Sequence, residues 1–266
     1  MEEFGNALLR SQQSSIDAFL EHRPEYIAIG KTAIALFILR AEQEKSLFDF
    51  DSREKGCYQY IFSKLSSKWD EFNHNAIGFV TFNYDRALEY FLFTSIRNTY
   101  NRSPEECAKI VEMFPIIHVH GSLGKLPWQS KDGIPYGALQ ENKNGQLTFD
   151  FKAAENASEQ TTVISEDQAT SREFYAAYQI IANAEQVYFL GFSYHITNMR
   201  RLNLRNLPKI NQTSGEENKL KYSRLKGDAY KMEDAEINSV KKSWYVQIFD
   251  NVSDSRLFLR KYAQLD

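Results

Sequence analysis

Ile77-Gly78-Phe79-Val80-Thr81-Phe82, followed at once by Asn83-Tyr84-Asp85, decides how this chain is read. Two other stretches break in the same way. Pro115-Ile116-Ile117-His118-Val119 ends in His120-Gly121-Ser122, and Val187-Tyr188-Phe189-Leu190 ends in Gly191-Phe192-Ser193. Apolar runs of about five residues without strict alternation suit strands covered on both faces. Helical patterns lie beside them. Ala87, Leu88, Phe91 and Leu92 share a face after the first run. Phe174, Tyr178 and Ile181 share one before the third, with Thr170 and Glu173 at capping-box spacing. Strands alternating with helices predict an α/β fold: a Rossmann-like, mostly parallel sheet flanked by helices, in a single domain over 1–266.

Working outward, the N-terminal part reads as helical. Ser14 and Asp17 stand at capping-box-like spacing at the head of a helix carrying Ile16, Phe19 and Leu20, and Pro24 stands where a helix can begin. Ile27 to Leu39 is apolar on most sides but contains Lys31, and it is too short for a membrane span, so it is expected as a core helix. Tyr58, Ile61, Phe62, Leu65 and Trp69 make an amphipathic stripe. Residues 123–165 interrupt the rhythm with Pro127, Gly133, Pro135, Gly137 and Gly145, and read as an insertion. Asn144-Gly145 before Leu147, Phe149 and Phe151 predicts a hairpin there. Asn206 to Asp228 reads as a polar connection. A helix over Met232–Lys242, a strand over Trp244–Phe249 and a helix over Asp254–Tyr262 follow.

Composition narrows the partners. The 266 residues are 42% apolar and 25% charged, which argues against disorder and fibrous repeats. The net charge of −3 lacks the basic excess of a nucleic-acid or membrane-surface binder, which leaves small molecules and proteins. Two cysteines, Cys57 and Cys107, make neither a disulfide framework nor a four-cysteine zinc site and suit a reducing cytoplasm. Met1-Glu2-Glu3 opens without the basic and apolar stretch of a secretion signal, so the expected location is cytoplasmic.

In open parallel sheets ligands bind beyond the carboxyl ends of the strands. That rule gathers Asn83, Asp85, His120, Ser122, Gly191 and Ser193 into one expected crevice. Plainer readings stand beside it. Asn83-Tyr84-Asp85 also suits a helix cap, His120-Gly121 a turn, and Gly191 to Ser193 an ordinary strand exit. His118 reads as a packed or hydrogen-bonded sheet histidine. His118 with His120 lacks a third metal ligand nearby, so no metal is expected. Cys107 lies among glutamates, which oppose a reactive thiolate. Lys219, Lys221, Arg224 and Lys226 read as a solvated basic face.

The three strand-end motifs resemble those of sirtuins, in order and roughly in spacing. Thr81-Phe82-Asn83-Tyr84-Asp85 is similar to their Thr-x-Asn-x-Asp signature, His120-Gly121 to their His-Gly pair, and Gly191-Phe192-Ser193 to their later Gly-x-Ser loop. The details sit closer to bacterial sirtuin-like proteins, many of them NAD-consuming anti-phage defence effectors, than to protein deacylases. The resemblance implies NAD as substrate, with His120 as general base and Asn83 holding ribose or the attacking water. Histidine titrates near neutrality, and an amide both donates and accepts. It further implies cofactor contacts from Thr81, Asp85, Gly121, Gly191 and Ser193. The family's Gly-Ala-Gly-x-Ser phosphate loop is not found, so the resemblance implies a first strand and loop ahead of Met1, and the chain is read as an N-terminally truncated domain. The resulting expectation is an NAD glycohydrolase, switched on by a protein partner or by homo-oligomer formation. A non-catalytic nucleotide- or partner-binding module is the alternative. The missing zinc module counts against a deacylase.

Overall fold

The computed structural model describes residues 2–13, 15–49, 56–65, 68–161, 172–207, 224–229, 232–244, 246–252, 254–263 and 265. Two compact units share the chain, Met1–Asp49 with Trp69–Glu173 and Phe50–Lys68 with Phe174–Asp266.

In the first unit the expected core helix forms over Ile27–Ala41 and buries Gly30, Ala33, Ile34, Ala35 and Leu39. The helix Phe151–Gln160 packs along it through Ala153, Ala154 and Ala157. Three alanines on one face let two helix backbones approach closely with little side-chain entropy to lose. Phe4, Phe19 and Tyr26 close one end as a cluster of rings with centroids 5.6 to 6.0 Å apart. Ser14 lies outside the described residues. Ser15 caps the helix Ile16–His22 instead, its side chain accepting from the Ala18 N–H.

Strand β1 (Phe79–Thr81) pairs in parallel with β2 (Ile116–His118), with Thr81 opposite His118. The crossover runs through helices Ala87–Tyr100 and Pro104–Glu112. The second starts on a complete capping box between Ser103 and Glu106, a signal plain in the sequence.

The predicted hairpin forms between β3 (Leu139–Glu141) and β4 (Leu147–Phe149). The Asn142 side chain accepts the N–H groups of Asn144 and Gln146 across its turn. Phe151 corrects the expectation, because it opens a helix rather than extending the strand. Asp150 accepts the N–H groups of Lys152 and Ala153, and such a cap starts a helix at once. Trp69 is a second correction. It leaves the stripe of the Cys57–Leu65 helix and begins a short 3-10 helix, where it meets Phe72 and Tyr100.

The second unit holds a parallel sheet in the order β5–β6–β7, with β5 at Val187–Phe189, β6 at Leu225–Asp228 and β7 at Gln247–Phe249. The central strand is a correction, since its residues lie at the end of what read as a polar connection. Leu225, Gly227 and Asp228 are buried there. A strand containing Lys226 and Asp228 is held inside because each polar group is satisfied. Asp228 receives hydrogen bonds from Gly191 and Ser255, and the Lys226 ammonium donates to the Tyr262 carbonyl. Arg224 is not on a solvated face either. It is buried, its guanidinium donating to the carbonyls of Ala182 and Ala184. Lys219, Lys221 and Thr170 lie outside the described residues.

Helix Arg172–Asn183 precedes β5 and buries Phe174, Ala177 and Ile181. Helix Asp234–Trp244 includes Trp244, which was expected in the strand, and its indole is buried. Asp254 caps the closing helix Ser255–Tyr262. The chain is therefore α/β in the broad sense, its parallel strands lying in a two-stranded and a three-stranded sheet. Among the described residues no helix is long and apolar enough to cross a membrane.

Candidate functional site

The turn after β1 is built by short-range hydrogen bonds. The Thr81 hydroxyl accepts the Asn83 N–H at 3.1 Å, and the Asp85 carboxylate accepts the Ala87 N–H at 3.1 Å. Asp85 thus braces the first turn of helix Ala87–Tyr100 from the residue before its N-cap, Arg86. Asn83 is exposed and Tyr84 buried.

Arg86 fixes this turn to the core. Its N–H and Nε donate to Glu42 Oε1 at 3.0 and 3.1 Å, and Nη2 donates to Glu42 Oε2 at 2.6 Å. Nη1 and Nη2 also donate to the carbonyls of Ile134 and Pro135, and Glu42 Oε2 accepts the Gly137 N–H. Both side chains are 1% exposed. Such a pair is tolerated inside because the remaining donors and acceptors are used as well.

His118 crosses from β2 to the β1 turn. Its Nδ1 lies 2.8 Å from the Asn83 carbonyl and its Nε2 lies 2.7 Å from Glu89 Oε1. A carbonyl only accepts, so Nδ1 carries a proton in this network. The 2.7 Å contact to Glu89 then holds a further proton, an arrangement that favours the imidazolium form of His118. Burial pushes the His118 pKa down. The hydrogen bond and charge of Glu89, with help from the Asn83 carbonyl and Asp85, outweigh that and raise it above the ordinary value of 6.5.

His120 follows Val119, whose N–H donates to the Thr81 carbonyl and continues the parallel pairing. The imidazole is 4% exposed, with the Phe82 ring 5.7 Å away edge-on and the Tyr84 ring at 6.4 Å. Gly121 donates to the His118 carbonyl and bridges to Thr161. It adopts φ +77°, and a Cβ there would stand 2.5 Å from the Gln160 carbonyl oxygen, so only glycine fits this close turn. Thr81, Asn83, Asp85, His120 and Gly121 thus converge on one pair of strand ends.

Gly191 and Ser193 lie in the second unit, beyond β5. The Gly191 N–H donates to both oxygens of Asp228, at 2.9 and 3.1 Å, and the Ser255 hydroxyl donates to Asp228 Oδ2 at 2.5 Å. The Tyr194 hydroxyl donates to the Asp228 carbonyl. Burial raises the Asp228 carboxyl pKa, and the hydrogen bonds from Ser255 and Gly191 oppose that rise. Ser193 is exposed on this pinned turn, and His195 is exposed at the start of helix Ile196–Arg201.

Four residues that organise these turns escaped sequence reasoning: Glu42, Arg86, Glu89 and Asp228. Glu89 had a signal, standing one helical turn after Asp85 beside the strand-end motif. Glu42 had none, since it meets Arg86 across 44 residues of chain. Burial raises the pKa of both thiols, Cys57 and Cys107, which keeps them protonated. Among the described residues no group of three or more His, Cys, Asp or Glu is arranged to hold a metal ion. Compared with family models, curated proteins and solved structures, the chain matches none.

Proposed function

We propose that the strand-end site of β1 and β2 cleaves the nicotinamide glycosidic bond of NAD, giving nicotinamide and ADP-ribose. The observation that carries this reading is the parallel pairing of Thr81 with His118, which sets the Asn83 turn beside His120 at one edge of the sheet. A neutral amide, a histidine and a close glycine turn at strand ends are the groups such a hydrolysis needs.

The chemistry requires no strong acid. The carbon–nitrogen bond breaks with its electron pair moving to the ring nitrogen of nicotinamide, which loses its positive charge and departs neutral. The ribose passes through an oxocarbenium-like state. Water adds to that carbon, and its proton passes to the imidazole of His120. Asn83 orients the water or the ribose hydroxyls. Thr81, Asp85 and Gly121 shape the ribose side of this Rossmann-like site. The setting is anti-phage defence in the cytoplasm, with a protein partner or a second copy as the switch.

The burial of His120 favours a second reading, a module that binds the nucleotide without turnover. Calorimetry with NAD and ADP-ribose, run beside a chromatographic assay for nicotinamide, separates the two. Nicotinamide release that falls in Asn83→Ala supports hydrolysis. Heat of binding with intact NAD supports the binding module and overturns hydrolysis. An acyl-lysine peptide left untouched while NAD is consumed dismisses deacylation.

A further inference from the structure

A neutral imidazole carries one N–H, yet His118 faces two acceptors. Its Nδ1 lies 2.8 Å from the Asn83 carbonyl oxygen and its Nε2 lies 2.7 Å from Glu89 Oε1. A carbonyl and a carboxylate only accept, so the two contacts together take two protons. With one proton removed, one contact becomes a meeting of lone pairs at hydrogen-bond distance. The arrangement therefore has two states, and a single proton chooses between them.

The surroundings decide which contact yields. The Glu89 side chain is 9% exposed, and its Oε2 has no hydrogen-bond partner among the described residues, so its charge relies on His118. Asn83 is exposed, so water can meet its carbonyl once His118 lets go. A hydrogen bond to a carboxylate is about twice as strong as one to a neutral carbonyl, and a buried charge left unmet costs more still. The remaining proton stays between His118 and Glu89. The rest of the turn keeps its ties, since the Thr81 hydroxyl accepts the Asn83 N–H and the Tyr84 carbonyl accepts the Leu123 N–H. The change is confined to the Asn83–Tyr84 peptide group. Burial opposes protonation of His118, while Glu89 on helix Ala87–Tyr100 and Asp85 in the turn favour it.

We propose that His118 is a positioning residue that works as a proton-operated latch on the Asn83 turn. With two protons in the network it holds the Asn83 carbonyl. With one it releases that carbonyl to water and keeps Glu89. The site to which Asn83 belongs then loses affinity for its substrate as pH rises through the latch. That consequence rests on the hydrolase reading, whereas the latch itself does not.

The test reads the peptide that the latch holds. Asn83-Tyr84 is the one Asn-Tyr pair in the sequence, so ¹³C-carbonyl asparagine with ¹⁵N tyrosine leaves a single carbonyl–amide correlation in the full chain. That signal should move in one step between about pH 6 and 10, with the same midpoint as the His118 ring nitrogens. Above the midpoint those nitrogens should report the Nε2–H tautomer. In Glu89→Gln the midpoint should fall by about 1–3 pH units. His118→Gln places its amide nitrogen near the position of Nε2, so it keeps a donor for Glu89 and none for Asn83. Its signal should sit at the high-pH position throughout. His120→Asn should leave the midpoint in place. A signal that does not titrate would overturn the latch, as would the Nδ1–H tautomer above the midpoint. So would a midpoint unmoved in Glu89→Gln or displaced in His120→Asn. If His118→Gln does not fold, the wild-type step, its tautomer and Glu89→Gln decide. No NAD is present, so this outcome and that of the hydrolase reading are independent.

Discussion

His118 stands between Glu89 and Asn83, with its Nε2 2.7 Å from the carboxylate and its Nδ1 2.8 Å from the backbone carbonyl. This imidazole therefore joins the helix after β1 to the turn that leads into it, and its charge holds both. In the hydrolysis proposed above, His120, two residues on, is the histidine that would take the proton, while His118 would position the turn.

The His118–Glu89 pair should make stability pH-dependent with a definite sign. The folded pKa of His118 is raised above 6.5, so its contribution is fully present below that value and is lost as pH rises through the folded pKa. Glu89→Gln should lower stability by about 2 kcal/mol near pH 6. Denaturant titrations of both proteins across the alkaline range should show the gap closing. A gap that widens with pH would contradict the assigned protonation.

The buried Glu42–Arg86 pair should be the stronger structural element. Glu42→Ala leaves a guanidinium that is 1% exposed without its carboxylate, which should cost about 3–5 kcal/mol, or a melting temperature lower by roughly 10 °C. Thermal unfolding followed by circular dichroism measures this. A shift of a degree or two would show that the pair does not anchor the turn.

Asp228 should carry a pH dependence that its amide variant lacks. Its folded pKa is raised above 3.8, so its contribution to stability is greatest below that value and declines as pH rises through the folded pKa. Asp228→Asn keeps an oxygen for the Gly191 N–H and removes the buried charge. Subtracting the variant's stability curve from the wild type's between about pH 4 and 7 should leave a falling line. A rising one would mean that hydrogen bonding outweighs burial.

Two glycines should resist the addition of a single methyl group. In Gly121→Ala the new Cβ meets the Gln160 carbonyl oxygen at 2.5 Å in a backbone conformation that alanine disfavours. In Gly227→Ala the methyl collides with the Tyr194 hydroxyl that donates to Asp228. Each should cost about 1–3 kcal/mol in chemical denaturation. Neutral substitutions would show that the Gly121 turn and strand β6 relax freely.

The three apolar runs that end in polar triplets placed β1, β2 and β5 correctly, because a short apolar run bounded by polar groups marks a strand by composition, although β1 and β2 are half-buried rather than covered on both faces. The core helix around Ile34 and the Asn144-Gly145 hairpin were legible for similar local reasons. Strand β6 was not. Leu225-Lys226-Gly227-Asp228 is a strand only because Gly191, Ser255 and Tyr262 satisfy its charges, and those partners are distant in sequence. In the site, the residue types at the strand ends could be read, while the network that holds them could not. Glu42 and Arg86 are ordinary helix-end charges until folding brings them together.

The central claim is tested most directly by nicotinamide release from NAD, measured side by side for wild type, His120→Asn and His118→Asn at neutral pH. The account predicts measurable release by the wild type and a loss of about 10²- to 10⁴-fold in His120→Asn, the range for removing a general base. His118→Asn should retain partial activity, with its loss expressed mainly in KM as the Asn83 turn loosens. NAD left intact by the wild type, or turnover unchanged in His120→Asn, would contradict it.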